Sequence, residues 1–408
     1  MARSFRQTSV PELRVLIAGA GLGGLAAALA LLRRGFDVEV FEQAAELKEV
    51  GAGVQISANG TAVLFALGLE EGVRRWGVHA ADKEIRLWNT GQTWSLFSGI
   101  KPSGGERYSH PMFMLHRGDL HGMLVEAVQR IKPGAIRLSR RCIGFGQDGA
   151  KVVLTFEDGE EVKGDVLVGA DGLHSVVRKQ LFGAATPHFT GQVAWRGLVP
   201  IDRLPENERR LVGTNWVGPK AHVTCYPVRR GELFNFVGQV DRTDWQVESW
   251  TAEGTKEECL ADFPGWHLQV RNMIESAGTL FKWGLFLREP LSRWTEGRVT
   301  LLGDACHAML PYLGQGANMA IEDGYVLARC LEASGGDVCA ALMRYETARL
   351  DRTTRVVQGS ADMTGKFHNE ALADAAGAER YVNAEWHPDK VRARYDWIYQ
   401  YDALAVPV

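Results

Sequence analysis

Hydrophobic and polar positions along this chain of 408 residues fall into two regimes. In the first, an apolar run at 15–18 leads into an alanine- and leucine-rich helical stretch, and a second apolar run follows at 38–41. That succession predicts strand, helix and strand, the βαβ unit of a nucleotide-binding fold. A helix is expected to begin near Arg117, because Leu120, Leu124 and Val125 fall at helical spacing. Strands are expected around 141–146, 151–156 and 161–169. Between 190 and 240 the character changes. There 193–199, 222–226 and 233–240 read as strands, separated by Gly-Pro and Arg-Arg-Gly turns. The first regime returns with a short apolar strand at 298–302. A long helix follows from about Gln315, with Ala320, Ile321, Gly324, Leu327 and Ala328 on one face. Beyond 337 the chain reads as mostly helical, and residues 1–12 as a loose tail. The fold expected is α/β. A Rossmann-like domain, discontinuous over 13–189 and 286–360, is interrupted by a β-rich substrate domain at 190–285 and followed by a helical segment at 361–408.

The junction of the first strand and helix carries G-x-G-x-x-G at Gly19, Gly21 and Gly24. The first glycine allows a tight turn, the second lets backbone approach a pyrophosphate, and the third lets helix and strand pack closely. The helix N-terminus then offers free N–H groups to a diphosphate. Glu42, with Gln43 beside it, ends the second strand at the distance where an acid accepts hydrogen bonds from an adenosine ribose. The eighteen uncharged residues between Arg14 and Arg33 have the length of a membrane span. Four glycines in their first half would weaken such a helix, so no span is expected.

A net charge of −3 without a long basic run gives no reason to expect nucleic acid. The six cysteines show no CxxC and no metal-ligand spacing, so no metal is expected. Arg3 and Arg6 precede no apolar run before Val15, which does not read as a signal peptide. The expectation is a cytoplasmic enzyme, monomeric or homodimeric.

Two further strands end in chemistry-bearing turns. Asp171-Gly172 is followed by His174, Ser175 and Arg178, and Gly303-Asp304 by Cys306 and His307. The segment from Gly314 through Gly316 and Ala317 to Asn318 opens the long helix. With the glycine motif, the 116–120 segment and the C-terminal 397–402 segment, these features resemble the group A flavoprotein monooxygenases. Those are FAD-dependent aromatic hydroxylases, and the likeness is greatest to their salicylate, 3-hydroxybenzoate and 6-hydroxynicotinate branches. The resemblance implies FAD as cofactor, NADH or NADPH as electron donor, O2 as co-substrate and a small hydroxylated aromatic acid of salicylate type as substrate.

It also implies roles. Arg117 would contact the FAD diphosphate, unless it is a surface arginine at a helix start. Asp304 would bind a ribityl hydroxyl, a role compatible with capping a helix. Gly314, Gly316, Ala317 and Asn318 would present N–H groups to the flavin, or simply make a tight turn. Asp171 would touch FAD, or hold a turn. Cys142 would lie where the family makes a backbone contact on the adenine side. Gln55 stands near the flavin edge where the hydroxynicotinate enzymes have a histidine, and Pro311 where the 3-hydroxybenzoate enzymes have a glutamine. On the substrate side, His222 and Tyr226 alternate onto one face of a strand and match a ring-facing pair. A neutral imidazole there is placed to take a phenolic proton, and a packed core histidine is the alternative. Trp195 and Arg196 could line the pocket or bind a carboxylate, packing and surface roles being equally open. Cys306 and His307 read as part of the Gly-Asp turn. The aromatic cluster at Trp386, Tyr395, Trp397, Tyr399 and Tyr401 reads as a packed lid or dimer face. A flavin reductase without oxygen insertion, and a non-catalytic FAD-binding protein, are the rival readings.

Overall fold

The computed structural model describes residues 13–47, 52–79, 83–96, 108–184, 186–245, 247 and 251–408; the expected tail at 1–12 lies outside them. The first apolar run becomes the strand Arg14–Ala18, the centre of a six-stranded sheet. It pairs in parallel with Asp37–Phe41 on one side and Val166–Gly169 on the other. Val299–Leu301 extends the sheet in parallel beyond Val166–Gly169, so a strand distant in sequence completes it. Strands covered on both faces read as continuous apolar runs. Here Val15, Leu16 and Ile17 are wholly buried. The helix Leu22–Leu32 is buried along its whole length, packed against the later helix Gly316–Ala333.

Residues 161–169 form two strands instead of the single one expected. Glu161–Gly164 closes a three-stranded meander, whereas Val166–Gly169 enters the central sheet. The break is Asp165, whose carboxylate accepts hydrogen bonds from the Arg14 backbone N–H at 2.9 Å and from Lys151 Nζ at 2.6 Å. A side chain that binds neighbouring backbone competes with the strand ladder.

The β-rich region builds an eight-stranded sheet with the long strand His188–Pro200 between Leu233–Asp241 and Leu280–Leu287. Ala221–Val228 and Gly213–Val217 follow outward, and Lys83–Leu87 then joins in parallel from much earlier in the chain. One face of this sheet packs on the helices Lys256–Asp262 and Leu268–Ser276, through Trp195, Val223, Cys225, Phe236 and Phe263. The other face looks onto a cavity and the C-terminal helices. Val338–Ala361 packs on the helix Gly316–Ala333, and Pro388–Tyr399 brings Tyr395 and Tyr399 to the cavity wall. No helix among the described residues is long and apolar enough to cross a membrane.

Candidate active site

A cavity of about 410 Å³ lies between the six-stranded sheet and the eight-stranded one. One end is built from turns that only glycine allows. Gly19 has φ +104°, and a Cβ there would lie 2.3 Å from the Ala170 carbonyl oxygen. A Cβ on Gly24 would lie 2.1 Å from the Gly19 oxygen, so strand and helix touch backbone to backbone. Gly21 differs: nothing lies within 4 Å of a Cβ built there, because its open side is the cavity. The turn is fixed from outside by Glu42, whose carboxylate accepts from the N–H groups of Ala20 and Ala44 at 2.9 Å each. His121 Nε2 meets the Ala20 oxygen at 2.8 Å.

Two helix N-termini open on this end. Leu22–Leu32 begins after Gly21 and Gly316–Ala333 after Gln315, and neither has a side chain capping its first N–H groups. Uncapped first-turn donors aimed into a cavity suit an anion or an electron-rich heterocycle. Gly314, in the left-handed conformation at φ +63°, Gly316 and Ala317 line the wall here. Asp304, at the start of a short helix, and Arg117, at the start of Arg117–Ile131, complete it. A diphosphate on the first helix and a flavin ring on the second fit these donors, and the Asp304 carboxylate is an acceptor suited to a polyol.

The other end is the sheet face. Along Ala221–Val228 the side chains alternate: Val223 and Cys225 enter the core behind, while His222, Thr224 and Tyr226 line the cavity. Register carries the face across the sheet. His222 sits opposite Gln239, Thr224 opposite Val237, and Arg196 opposite Val237 on the far side. Arg196 is 8% exposed, its guanidinium 5.3 Å from the Trp283 ring centroid and 5.5 Å from that of Phe281. Lys83 reaches the same space and donates to Gln55 Oε1 at 2.5 Å, and burial lowers its ammonium to about 8. Burial, with a second imidazole beside it, holds the His222 imidazole well below its ordinary value, so it is neutral. Burial likewise raises the Tyr226 and Tyr312 phenols, which stay protonated.

Several of the other expected residues sit behind the wall. The Asp171 carboxylate accepts from Ser175 Oγ and from the Val176 and Val177 N–H groups, at 2.7 and 3.2 Å for the latter two. It therefore holds the turn while Ala170 and Gly172 face the cavity. Asn318 is fully buried and accepts from the Ser57 N–H, while its amide nitrogen donates to the Gln55 and Gly314 oxygens at 3.0 and 2.9 Å. It fastens two walls together and faces neither. Burial raises the Cys142 thiol to about 11, and its Sγ contacts the Gly144 oxygen. Gln43 is exposed beyond Glu42. Trp195 points to the opposite side of the sheet from Arg196 and donates to Asp262 Oδ2 at 2.7 Å, so it does not line the cavity. Pro311 does line it, as do Gln55, Tyr395 and Tyr399.

Beneath the second helix lies a buried charge network absent from the sequence reading. Asp323 bonds His307 Nε2 at 2.6 Å and Arg349 Nε at 2.7 Å, and accepts from the Gly303 N–H at 3.2 Å. Glu322 takes both Arg352 Nε and Nη2 at 2.8 Å, and Asn59 at 2.6 Å. Glu322, Asp323 and Arg349 are 0% exposed. Two adjacent acids inside the apolar run 320–328 were the available signal, since a buried acid needs a buried cation. Lys83, Gln239 and His368 gave no such signal, for each depends on a partner far along the chain. Among the described residues, no group of three His, Cys, Asp or Glu side chains is placed to hold a metal ion.

The family model described as "FAD binding domain" matches residues 12–360. The chain is 38% identical over 394 residues to a 3-amino-4-hydroxybenzoate 2-monooxygenase of Streptomyces platensis, covering 96% of this chain and 97% of that protein. It is 39% identical over 396 residues to a 3-hydroxybenzoate 6-hydroxylase of Polaromonas naphthalenivorans, covering 95% and 96%. The crystal structure of Klebsiella pneumoniae HpxO with FAD and uric acid superposes with a TM-score of 0.82 at 27% identity, covering 98% of each chain.

Proposed function

Because the chain belongs to the FAD-binding-domain family and is an FAD-dependent aromatic hydroxylase, we propose how it selects and activates its ring. When bound and reduced by NADH or NADPH, FAD supplies the activation of O2. The protein's own contribution is to bind, orient and deprotonate the substrate and to keep water out. The substrate is a small hydroxylated aromatic acid. Arg196 takes its carboxylate, with Lys83 as a second cation, and His222 takes the proton of its ring hydroxyl while Tyr226 flanks the ring.

The observation that carries this reading is one sheet face holding a buried cation and a neutral imidazole on a shared cavity. Arg196 and His222 lie on strands separated by one other, with His222 two residues along from the level of Arg196, so their backbones are roughly 12 Å apart at about 4.8 Å per strand and 3.4 Å per residue. Side chains reaching inward from that separation suit a ring whose carboxylate and hydroxyl are meta or para, as in the two relatives' hydroxybenzoates, more than the adjacent pair of salicylate. In the cofactor cradle, Gly21 and Arg117 would hold the diphosphate, Glu42 the ribose, Asp304 the ribityl chain, and Gly314, Gly316 and Ala317 the flavin. A cytoplasmic setting is supported by six free cysteines.

Anaerobic reduction of the bound flavin by NADH and by NADPH tests this, with salicylate, 3-hydroxybenzoate, 4-hydroxybenzoate, 6-hydroxynicotinate and phenol as additives. Acceleration by orders of magnitude with a hydroxybenzoate, and little with phenol, is expected. Equal bleaching without any aromatic would move the reading to a reductase. In the oxygenated reaction, His222→Ala should keep FAD and lose hydroxylated product; unchanged product yield would remove His222 from the mechanism.

A further inference from the structure

Three titratable side chains run from the ring-facing wall of the cavity to solvent. His222 Nδ1 lies 2.7 Å from His368 Nε2, and His368 Nδ1 lies 2.7 Å from Asp241 Oδ1. His222 is 1% exposed, the His368 side chain 3% and the Asp241 side chain 42%, so the series ends at the surface. Its members come from the strand Ala221–Val228, the end of Leu233–Asp241, and a segment docked by the bridge between Gly218 and His368. The rings are fixed in place. Phe367 stacks on His222 at 4.7 Å between centroids, and Tyr312 packs on it at 5.5 Å. Gln192 donates to Asp241 Oδ1 at 2.9 Å and accepts from the Tyr312 hydroxyl.

A neutral His368 between a carboxylate and a second imidazole fixes one set of tautomers. Partial burial opposes ionisation of Asp241, but hydrogen bonds from His368 and Gln192 and the charge of Lys220 hold its carboxyl below the ordinary range. The carboxylate therefore accepts, and His368 Nδ1 donates to it. With His368 neutral, its Nε2 accepts from His222 Nδ1–H, and Nε2 of His222 carries no proton. The other groups facing this series are the neutral Tyr312 and Gln239 and the cation Lys220. His222 is a poor place to store charge, because it is wholly buried and has a second imidazole beside it. It is a good place to pass a proton, since gaining one at Nε2 while releasing one from Nδ1 leaves it neutral.

We propose that His222, His368 and Asp241 form a relay that carries the proton of the substrate's ring hydroxyl to solvent and returns one to the product. The relay rests on the reading that the ring hydroxyl faces His222. In the outward direction the substrate O–H bond breaks and His222 Nε2–H forms. His222 Nδ1–H then breaks as His368 Nε2–H forms, and His368 Nδ1–H breaks as the Asp241 carboxyl is protonated and passes its proton to water. When the product's hydroxyl is re-formed the steps reverse, which restores both tautomers without a ring flip. No electrons move in the relay, and His368 and Asp241 are positioning and conducting groups that do not touch the ring.

The test uses FAD-loaded His368→Ala, His368→Gln and Asp241→Asn enzymes with the hydroxybenzoate selected by flavin reduction. Stopped-flow absorbance follows ionisation of the bound phenol, and turnover is measured from pH 6 to 9. Substrate-stimulated flavin reduction and substrate affinity should stay near wild type. Ionisation and hydroxylation should slow about 100-fold or more at neutral pH, recover as pH rises and, in His368→Ala, recover with added imidazole. Wild-type rates and pH profile in the His368 variants would overturn the relay. A slow His368→Ala enzyme that neither imidazole nor higher pH restores would overturn it too, by showing a packing role only. Should His368→Ala fail to fold, His368→Gln, which keeps a hydrogen bond but cannot conduct, decides alone by its pH profile. A dead His222→Ala beside intact His368 variants overturns the relay and leaves the base in place. An intact His222→Ala overturns the base as well.

Discussion

The same substitution at two glycines three positions apart should have opposite consequences. In Gly24→Ala the new Cβ would lie 2.1 Å from the Gly19 carbonyl oxygen and 3.3 Å from the Ala170 Cβ. Both the oxygen and the helix that would have to retreat are backbone in the buried core, so relief requires prising strand from helix. Overpacking of a core costs typically about 1–3 kcal/mol, and a rigid backbone obstacle belongs at or above the upper end. For a chain of this length, about 2.1 cal/mol/K of unfolding entropy per residue converts 3 kcal/mol into a Tm fall of roughly 3–4 °C. In Gly21→Ala nothing lies within 4 Å of the Cβ, and φ −72°, ψ 179° is open to any residue. Alanine gains about 0.4–1 kcal/mol through the unfolded chain and loses a similar amount as a poorer N-cap, so apo stability should hardly move. Its methyl instead stands where a diphosphate must approach, and FAD affinity should fall about 10- to 100-fold. Differential scanning calorimetry of the apo proteins with flavin-fluorescence titration separates the two. If Gly21→Ala binds FAD like wild type, or Gly24→Ala melts like wild type, the assignment of these glycines is wrong.

Arg349→Met should destabilise the protein by about 3 kcal/mol, because it removes the buried cation shared by Glu322 and Asp323 and leaves them to Arg352 and His307; chemical denaturation with a loss under 1 kcal/mol would refute this. Burial opposes ionisation of Asp323, but the charges of His307 and Arg349 win and hold its carboxyl below the ordinary range. Its stabilising contribution is therefore complete above about pH 4 and lost as pH falls further, so melting temperatures against pH should drop less steeply in Asp323→Asn than in wild type. Arg196→Met should raise KM for a hydroxybenzoate about 10- to 100-fold and leave KM for the matching phenol unchanged; equal effects on both would exclude a carboxylate contact. Since the Lys83 ammonium titrates at about 8, KM for the acid should climb above that pH in wild type and stay flat in Lys83→Met.

What the sequence disclosed depended on how local each constraint is. The glycine turn was readable because positive φ and backbone contact are demands few other residues meet, and both are set within six positions. His222 and Tyr226 were readable as a pair because strand alternation puts every second side chain on one face. The same alternation parts Trp195 from Arg196, but which of them meets the cavity depends on the sheet's other layer, the helices at 256–276. His368 is 146 positions from His222, and nothing in its own neighbourhood distinguishes it from a surface histidine. Asp165 interrupts a run that reads as one strand because its partners, Arg14 and Lys151, lie 151 and 14 positions away.

The order of strands has a consequence for biosynthesis. Lys83–Leu87 is made early but pairs with Gly213–Val217, so its edge waits unpaired while well over a hundred further residues are translated. The central sheet likewise waits for Val299–Leu301, and the cavity for its second uncapped helix, Gly316–Ala333. Loop closures of this length make folding slow and leave strand edges open to wrong partners. The nascent chain thus has no complete cradle until most of it has left the ribosome, and flavin captured at that stage would act as the last piece that locks the two sheets together.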